Sequence, residues 1–148
     1  MNPVAKNVLA VIVGFVVGSI VNMMLVNVGM LVIPPPDGSD VTTMEGIAEA
    51  MKSFTPANFV FPFLAHAIGT LVGAFLAAKI AASQAMKIAI GIGAFFLLGG
   101  LSMVFMVGGP LWFIACDLIL AYVPMGYLGG VLAGAQSEAR SEATAEAA

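Results

Sequence analysis

Residues Phe59 to Ala82 read FVFPFLAHAIGTLVGAFLAAKIAA, an apolar run with the chain's only histidine, His66, well inside it. At 1.5 Å of helix rise per residue the run is long enough to cross the ~30 Å hydrocarbon core of a bilayer. Three further runs are comparably long and apolar. Of the chain's 148 residues 61% are hydrophobic and 9% charged, whereas water-soluble domains carry about 25% charged residues. A soluble fold of this composition would expose large apolar patches. The expected class is therefore an all-α integral membrane protein: four transmembrane helices in a compact bundle with a short amphipathic interfacial helix between the first two.

The remaining composition narrows the function. No basic patch or aromatic-basic interleaving points to nucleic acid. One cysteine, Cys116, excludes an intrachain disulfide, and one His with one Cys falls short of an ordinary metal-ligand set. No cofactor is implied, and the partner implied by composition is the lipid bilayer.

The expected spans are about 7–33, 58–82, 86–107 and 111–135. Together with the outer loop 34–57 they form a single membrane domain, 1–136, and 137–148 is a polar cytoplasmic tail. The first run is too long for a signal-peptide core and stops at Pro34-Pro35-Pro36. Along it Ala10, Gly14, Gly18 and Asn22 recur every fourth residue, a stripe on which another helix backbone can pack closely. The second run has a matching stripe of Ala65, Gly69, Gly73 and Ala77, and the fourth has Gly126, Gly130 and Gly134. These glycine-rich faces also suggest a homo-oligomer. Between the first two spans, Thr42-Thr43-Met44-Glu45 has the form of a capping box. Behind it Met44, Ile47, Ala48, Met51 and Phe54 share one face of a short helix, which reads either as a lid or as a spacer at the interface. Gly108-Gly109-Pro110 separates spans three and four, with Trp112 in the position of an interfacial anchor.

Lys6, Lys79, Lys87 and Arg140 fall on one side of this model and Lys52 on the other. The positive-inside rule then puts both termini in the cytoplasm. Orientation makes depth countable. His66 and Asp117 each lie seven residues in from the outer edge, roughly 10 Å deep, and Ser102 lies at roughly 8 Å. Asn22 and Asn27 bracket that level on the first span. The four spans thus offer one polar layer of His66, Asp117, Ser102, Asn22 and Asn27. Thr70, one turn from His66, and Tyr122 and Pro124 in the fourth span are its supports. Pro124 leaves the Leu120 carbonyl without its donor, which reads as a kink, a hinge or a backbone ligand.

Ionisable residues within a membrane segment are costly and commonly pair with one another. A His66–Asp117 pair is the expected core of the layer. As a functional site it would be proton-responsive, because His changes charge near neutral pH, and the protein would be transporter- or channel-like. The rival reading is a structural or accessory membrane subunit in which the layer is a clasp fixing helix packing. A third is a membrane-embedded enzyme. Catalysis draws support only from the residue types Ser102, His66 and Asp117, with no accompanying motif, so no catalytic residue is assigned. Cys116 adjoins Asp117, but helical neighbours point about 100° apart.

Length and span number are shared with small multidrug-resistance exporters, yet those carry their essential acid in the first span, where this chain has none. The dual-topology fluoride channels share the size, but their glycine-rich arginine motif is not found here. The segments FPFLAHAIGTLVGAF and PPPDGSDVTTMEG resemble a group of small bacterial inner-membrane proteins. That resemblance implies the four-span architecture and transfers no function and no site residues.

Overall fold

The computed structural model describes residues 2–135 and 144. They are helical without strands, and four segments are long and apolar enough to cross a bilayer: Pro3–Val32, Pro56–Ile80, Ala85–Met106 and Leu111–Leu132. The elements in order are α1 (Pro3–Val32), α2 (Met44–Ala50), α3 (Val60–Ile80), α4 (Ala85–Met106), α5 (Leu111–Leu120) and α6 (Val123–Leu132). The tail expected over 137–148 and Arg140 within it lie outside the described residues, apart from Thr144.

Local chemistry sets the ends. α1 begins at Pro3, earlier than residue 7, because Asn2 caps it: Asn2 Oδ1 accepts from the Val4 N–H at 2.9 Å and Pro3 opens the first turn. Met51–Ser53 and Pro56–Phe59 are single turns of 3₁₀ helix, the second leading into α3. There Asn58 Oδ1 accepts from the Thr55 N–H at 2.9 Å and from its hydroxyl at 2.8 Å, while Asn58 Nδ2 donates to the Pro34 carbonyl at 3.3 Å. The capping box expected on Thr42 and Glu45 is not formed. The cap of α2 is Thr43, whose hydroxyl accepts from the Gly46 N–H at 3.0 Å, while Asp40 accepts from the hydroxyls of both Thr42 and Thr43.

The helices meet through glycine. α1 and α3 run antiparallel, and Gly14 faces Gly73 as Gly18 faces Gly69. A Cβ built on Gly14 would come within 2.6 Å of the Gly73 carbonyl oxygen, and one on Gly73 equally close to that of Gly14. α6 sits between α3 and α4: Gly129 abuts the Leu71 backbone, Gly126 the Ala89 carbonyl and Gly130 the Met86 thioether. The enclosed core is correspondingly small-sided, with Ala74, Ala77, Ala78, Ala85, Ala89 and Ile92. Bulk goes outward instead. Leu31, Phe105 and Leu111 are 85%, 87% and 84% exposed, the reverse of a soluble core and surface. The stripes of spans one, two and four are thus occupied within the chain.

Gly134, with a φ of 86°, is the left-handed residue after α6. One expectation about span four needs correction: 111–135 is not one helix. It is broken at Ala121–Tyr122, where Tyr122 has φ −117° and ψ −83°. Pro124 offers no N–H to the Leu120 carbonyl and its ring crowds that oxygen, so the helix ends and restarts with the proline in its first turn.

Candidate functional site

The break between α5 and α6 lies beside His66. In α3, His66 Nδ1 is 2.8 Å from Asp117 Oδ1 and 3.0 Å from Oδ2, so one ring nitrogen faces both carboxylate oxygens. The tautomer with its proton on Nδ1 donates to the carboxylate, and imidazolium does the same with a full charge. From the break itself, the Tyr122 hydroxyl donates to Asp117 Oδ2 at 2.9 Å. The Tyr122 ring also stacks on His66, with centroids 5.6 Å apart and planes 29° from parallel. Asp117 and Tyr122 are buried, and the His66 side chain keeps 26% of its surface exposed.

Local sequence explains this arrangement. Asp117 is the one buried residue of α5, and its carbonyl accepts the last amide of that helix, Ala121 N–H, at 2.9 Å. One residue on, the non-helical torsions of Tyr122 direct its phenol back along α5 toward the carboxylate. Space for the phenol comes from Gly100 of α4: a Cβ there would lie 2.5 Å from the hydroxyl. Gly93, two turns earlier, lets α4 reach the break itself, since its Cβ would lie 2.8 Å from the Tyr122 carbonyl. Gly100 and Gly93 are the contributors that sequence reasoning missed. Their only signal was membership in a glycine-rich helix.

The polar layer is narrower than expected. His66 and Asp117 are brought together, and Tyr122 joins them as a direct donor rather than a distant support. Ser102 is exposed and its hydroxyl donates to the Leu98 carbonyl at 2.9 Å. Asn27 is exposed and donates to the Met23 carbonyl at 2.7 Å. Both face the carbonyl one turn back on their own helix. Asn22 packs at the α1–α3 crossing, where a Cβ on Gly69 would meet its Cβ at 3.0 Å, and makes no hydrogen bond to the pair. Thr70 is buried in α3 one turn from His66, also without a bond to it. Pro124 acts through the break, and Cys116 is exposed.

Beside the cluster, a cleft of about 310 Å³ separates α5 from the start of α3, lined by Phe59, Phe63, Leu64, Trp112, Phe113 and Cys116 among others. Phe59 stands at one end of it, with ring centroids 5.5 Å from Trp112 and 4.7 Å from Phe113. Among the described residues no group of three or more His, Cys, Asp or Glu side chains is placed to hold a metal ion. The arrangement can hold a proton between His66 and Asp117 and can tie the broken span to α3. In comparison with known proteins, no family model, no curated protein and no solved structure matches the chain.

Proposed function

We propose that this chain is a small multi-pass protein of the bacterial inner membrane, transporter- or channel-like, in which His66, Asp117 and Tyr122 form a proton-responsive latch. Both termini face the cytoplasm in this reading, and α2 lies at the outer interface. The observation that carries the proposal is the direct His66–Asp117 contact at a helix break. Irregular backbone at membrane depth is tolerated where it is buried in protein or lines a water-filled cavity, and ionisable residues there mark proton or substrate paths. The orientation is supported by hydrogen bonds from Asn7 to Ser83 and from Ala82 to Asn7, at 3.1 and 2.8 Å. They bring the start of α1 to the α3–α4 turn, so Lys6, Lys79 and Lys87 share one end.

The titratable groups of the latch are His66 from α3 and Asp117 and Tyr122 from the fourth span; α4 brings Gly100 and no ionisable side chain to it. The decisive experiment is proton and solute flux into liposomes containing the wild-type protein, His66→Ala or Asp117→Asn. Flux that disappears in both variants while the fold survives supports the proposal. A wild-type protein that moves nothing across a pH gradient overturns it. In that case the second reading stands, a structural or accessory subunit with a polar clasp. One observation favours that reading: among the described residues every buried side-chain nitrogen or oxygen has a partner, as a purely structural network requires.

A further inference from the structure

The two halves of the fourth span are held very differently. α6 buries Gly126, Gly129 and Gly130 against the backbones and side chains of α3 and α4, and close glycine contacts of this kind leave no slack. α5 buries a single residue, Asp117, and touches α3 and α4 only lightly. The cleft of about 310 Å³ lies between it and α3.

Both ends of α5 are free of helical continuity. Before it stand Gly108 and Gly109 with φ of 79° and 144°, torsions open to glycine at little cost. After it comes the break at Tyr122. Its attachments to the rest of the fold include the aromatic stack on Phe59 at one end and, near the other, the bonds of Asp117 to His66 and Tyr122 and the packing of half-buried Leu118 beside Ala67, Ala121 and Tyr122.

We infer that α5 is a movable half-helix, a gate hinged at Tyr122 and at Gly108–Gly109, which the His66–Asp117 bond holds shut against α3 while α6 stays fixed. This rests on the latch reading and gives it a moving part. With the bond intact the carboxylate is satisfied, and the exposed apolar face of α5 contributes little else to hold it against α3. With the bond lost, α5 keeps the Phe59 stack, the packing of Leu118 and the Tyr122 bond at its own hinge, and it turns at the break and widens the cleft beside Cys116. The titratable groups that face Asp117 are His66 and Tyr122; α4 and α1 present none to it.

Leu118 lies on α5, is half-buried and packs beside Ala67, Ala121 and Tyr122, so a cysteine in its place is uncovered when α5 turns away, whereas the native Cys116 is already exposed. The test is the rate of modification of Leu118→Cys by N-ethylmaleimide in a Cys116→Ser background of the full-length protein reconstituted in liposomes. That protein is compared with the same background carrying His66→Ala, Asp117→Ala or the milder His66→Phe, each of which removes the bond. The α6 reference is the same labelling of Leu128→Cys in a Cys116→Ser background carrying each change. Loss of one charge-assisted hydrogen bond corresponds to about a tenfold rise in the open population, read as about a tenfold faster reaction at Leu118→Cys. The gate requires that rise in at least one of the three variants with the Leu128→Cys rate unchanged in the same variant. Rises at both positions in every variant, or no rise at Leu118→Cys in any, overturn it. The latch reading fails separately, when wild-type liposomes show no flux.

Discussion

Gly100 leaves the space that the phenol of Tyr122 fills: a Cβ on Gly100 would lie 2.5 Å from the Tyr122 hydroxyl and 2.7 Å from the ring carbon that bears it. Among the described residues, its neighbour Gly99 has no packing partner within 4 Å of its own Cβ position. Adjacent glycines in one helix therefore answer to different forces. Gly100→Ala forces the ring away from Asp117 and costs about 1–3 kcal/mol of overpacking, whereas Gly99→Ala gains up to about 1 kcal/mol of helix propensity. Thermal unfolding in detergent separates the two. Because Gly100→Ala already displaces the hydroxyl, adding Tyr122→Phe to it changes little, and full additivity of the two would show that the phenol had kept its bond.

The His66–Asp117 contact makes a second prediction about coupling. Removing His66 leaves a buried carboxylate held only by Tyr122, a loss of about 3–5 kcal/mol for a broken buried pair. Asp117→Asn keeps an acceptor for both donors and costs less, about 1–2 kcal/mol. Interhelical polar pairs in membrane bundles couple by about 0.6 kcal/mol on average and at most about 1.7. The double variant is therefore expected to fall short of the sum by about 1 kcal/mol. A coupling near zero in the double-mutant cycle means the two side chains are held by their surroundings and not by each other.

The difference between what residue spacing foretold and what the fold adopts has one geometric cause. Counting along a helix axis gives height, at 1.5 Å per residue, but each residue also turns the side chain by 100°. His66 and Asp117 agree in both coordinates and meet. Ser102 and Asn27 were expected at a similar height, yet they are exposed and satisfy themselves on Leu98 and Met23 of their own helices. The stripe of Gly14 and Gly18 against Gly69 and Gly73 was legible because a four-residue repeat fixes height and azimuth together. The break was legible only as a proline. That Pro124 ends the helix at Leu120, and that Tyr122 then turns back onto Asp117, depends on torsions outside the helical repeat, which no periodicity encodes. Gly29, which receives Phe61 at the top of the α1–α3 crossing, was unreadable for a related reason: its partner is a bulky side chain outside the small-residue stripe.

The α1–α3 crossing supplies a third prediction. Gly73→Ala puts a methyl 2.6 Å from a backbone oxygen of Gly14, and backbone cannot move aside as a flexible side chain can. The helices must separate, and the cost is about 1–3 kcal/mol. Gly91 of α4 faces open space, so Gly91→Ala is neutral or stabilising by up to about 1 kcal/mol. Equal losses for the two, measured by thermal unfolding in the same detergent, would mean that Gly91 is covered in the assembled protein.

The loop between α1 and α2 carries a prediction with a pH sign. Asp40 is exposed, and its carboxyl is held below the ordinary value of 3.8, first by the hydroxyl of Thr42, then by the Thr42 amide and the Thr43 hydroxyl. The corresponding distances are 2.6, 2.8 and 3.1 Å. These donors favour the charged form, so the folded group releases its proton more readily than the unfolded one. The stability it contributes is then fully present above the unfolded value of 3.8 and is lost as pH falls through the lower folded value. Neutral and mildly acidic conditions leave the loop intact, and only strong acid frees Thr42 and Thr43. Asp40→Ala should imitate that acid state at neutral pH, loosening the turn before α2 without touching the latch. Amide hydrogen exchange checks it: faster exchange at Thr42 and Gly46 in Asp40→Ala, with unchanged protection in α3 around His66, is the expected result, and uniform exchange across both regions would mean the loop and the bundle melt as one unit.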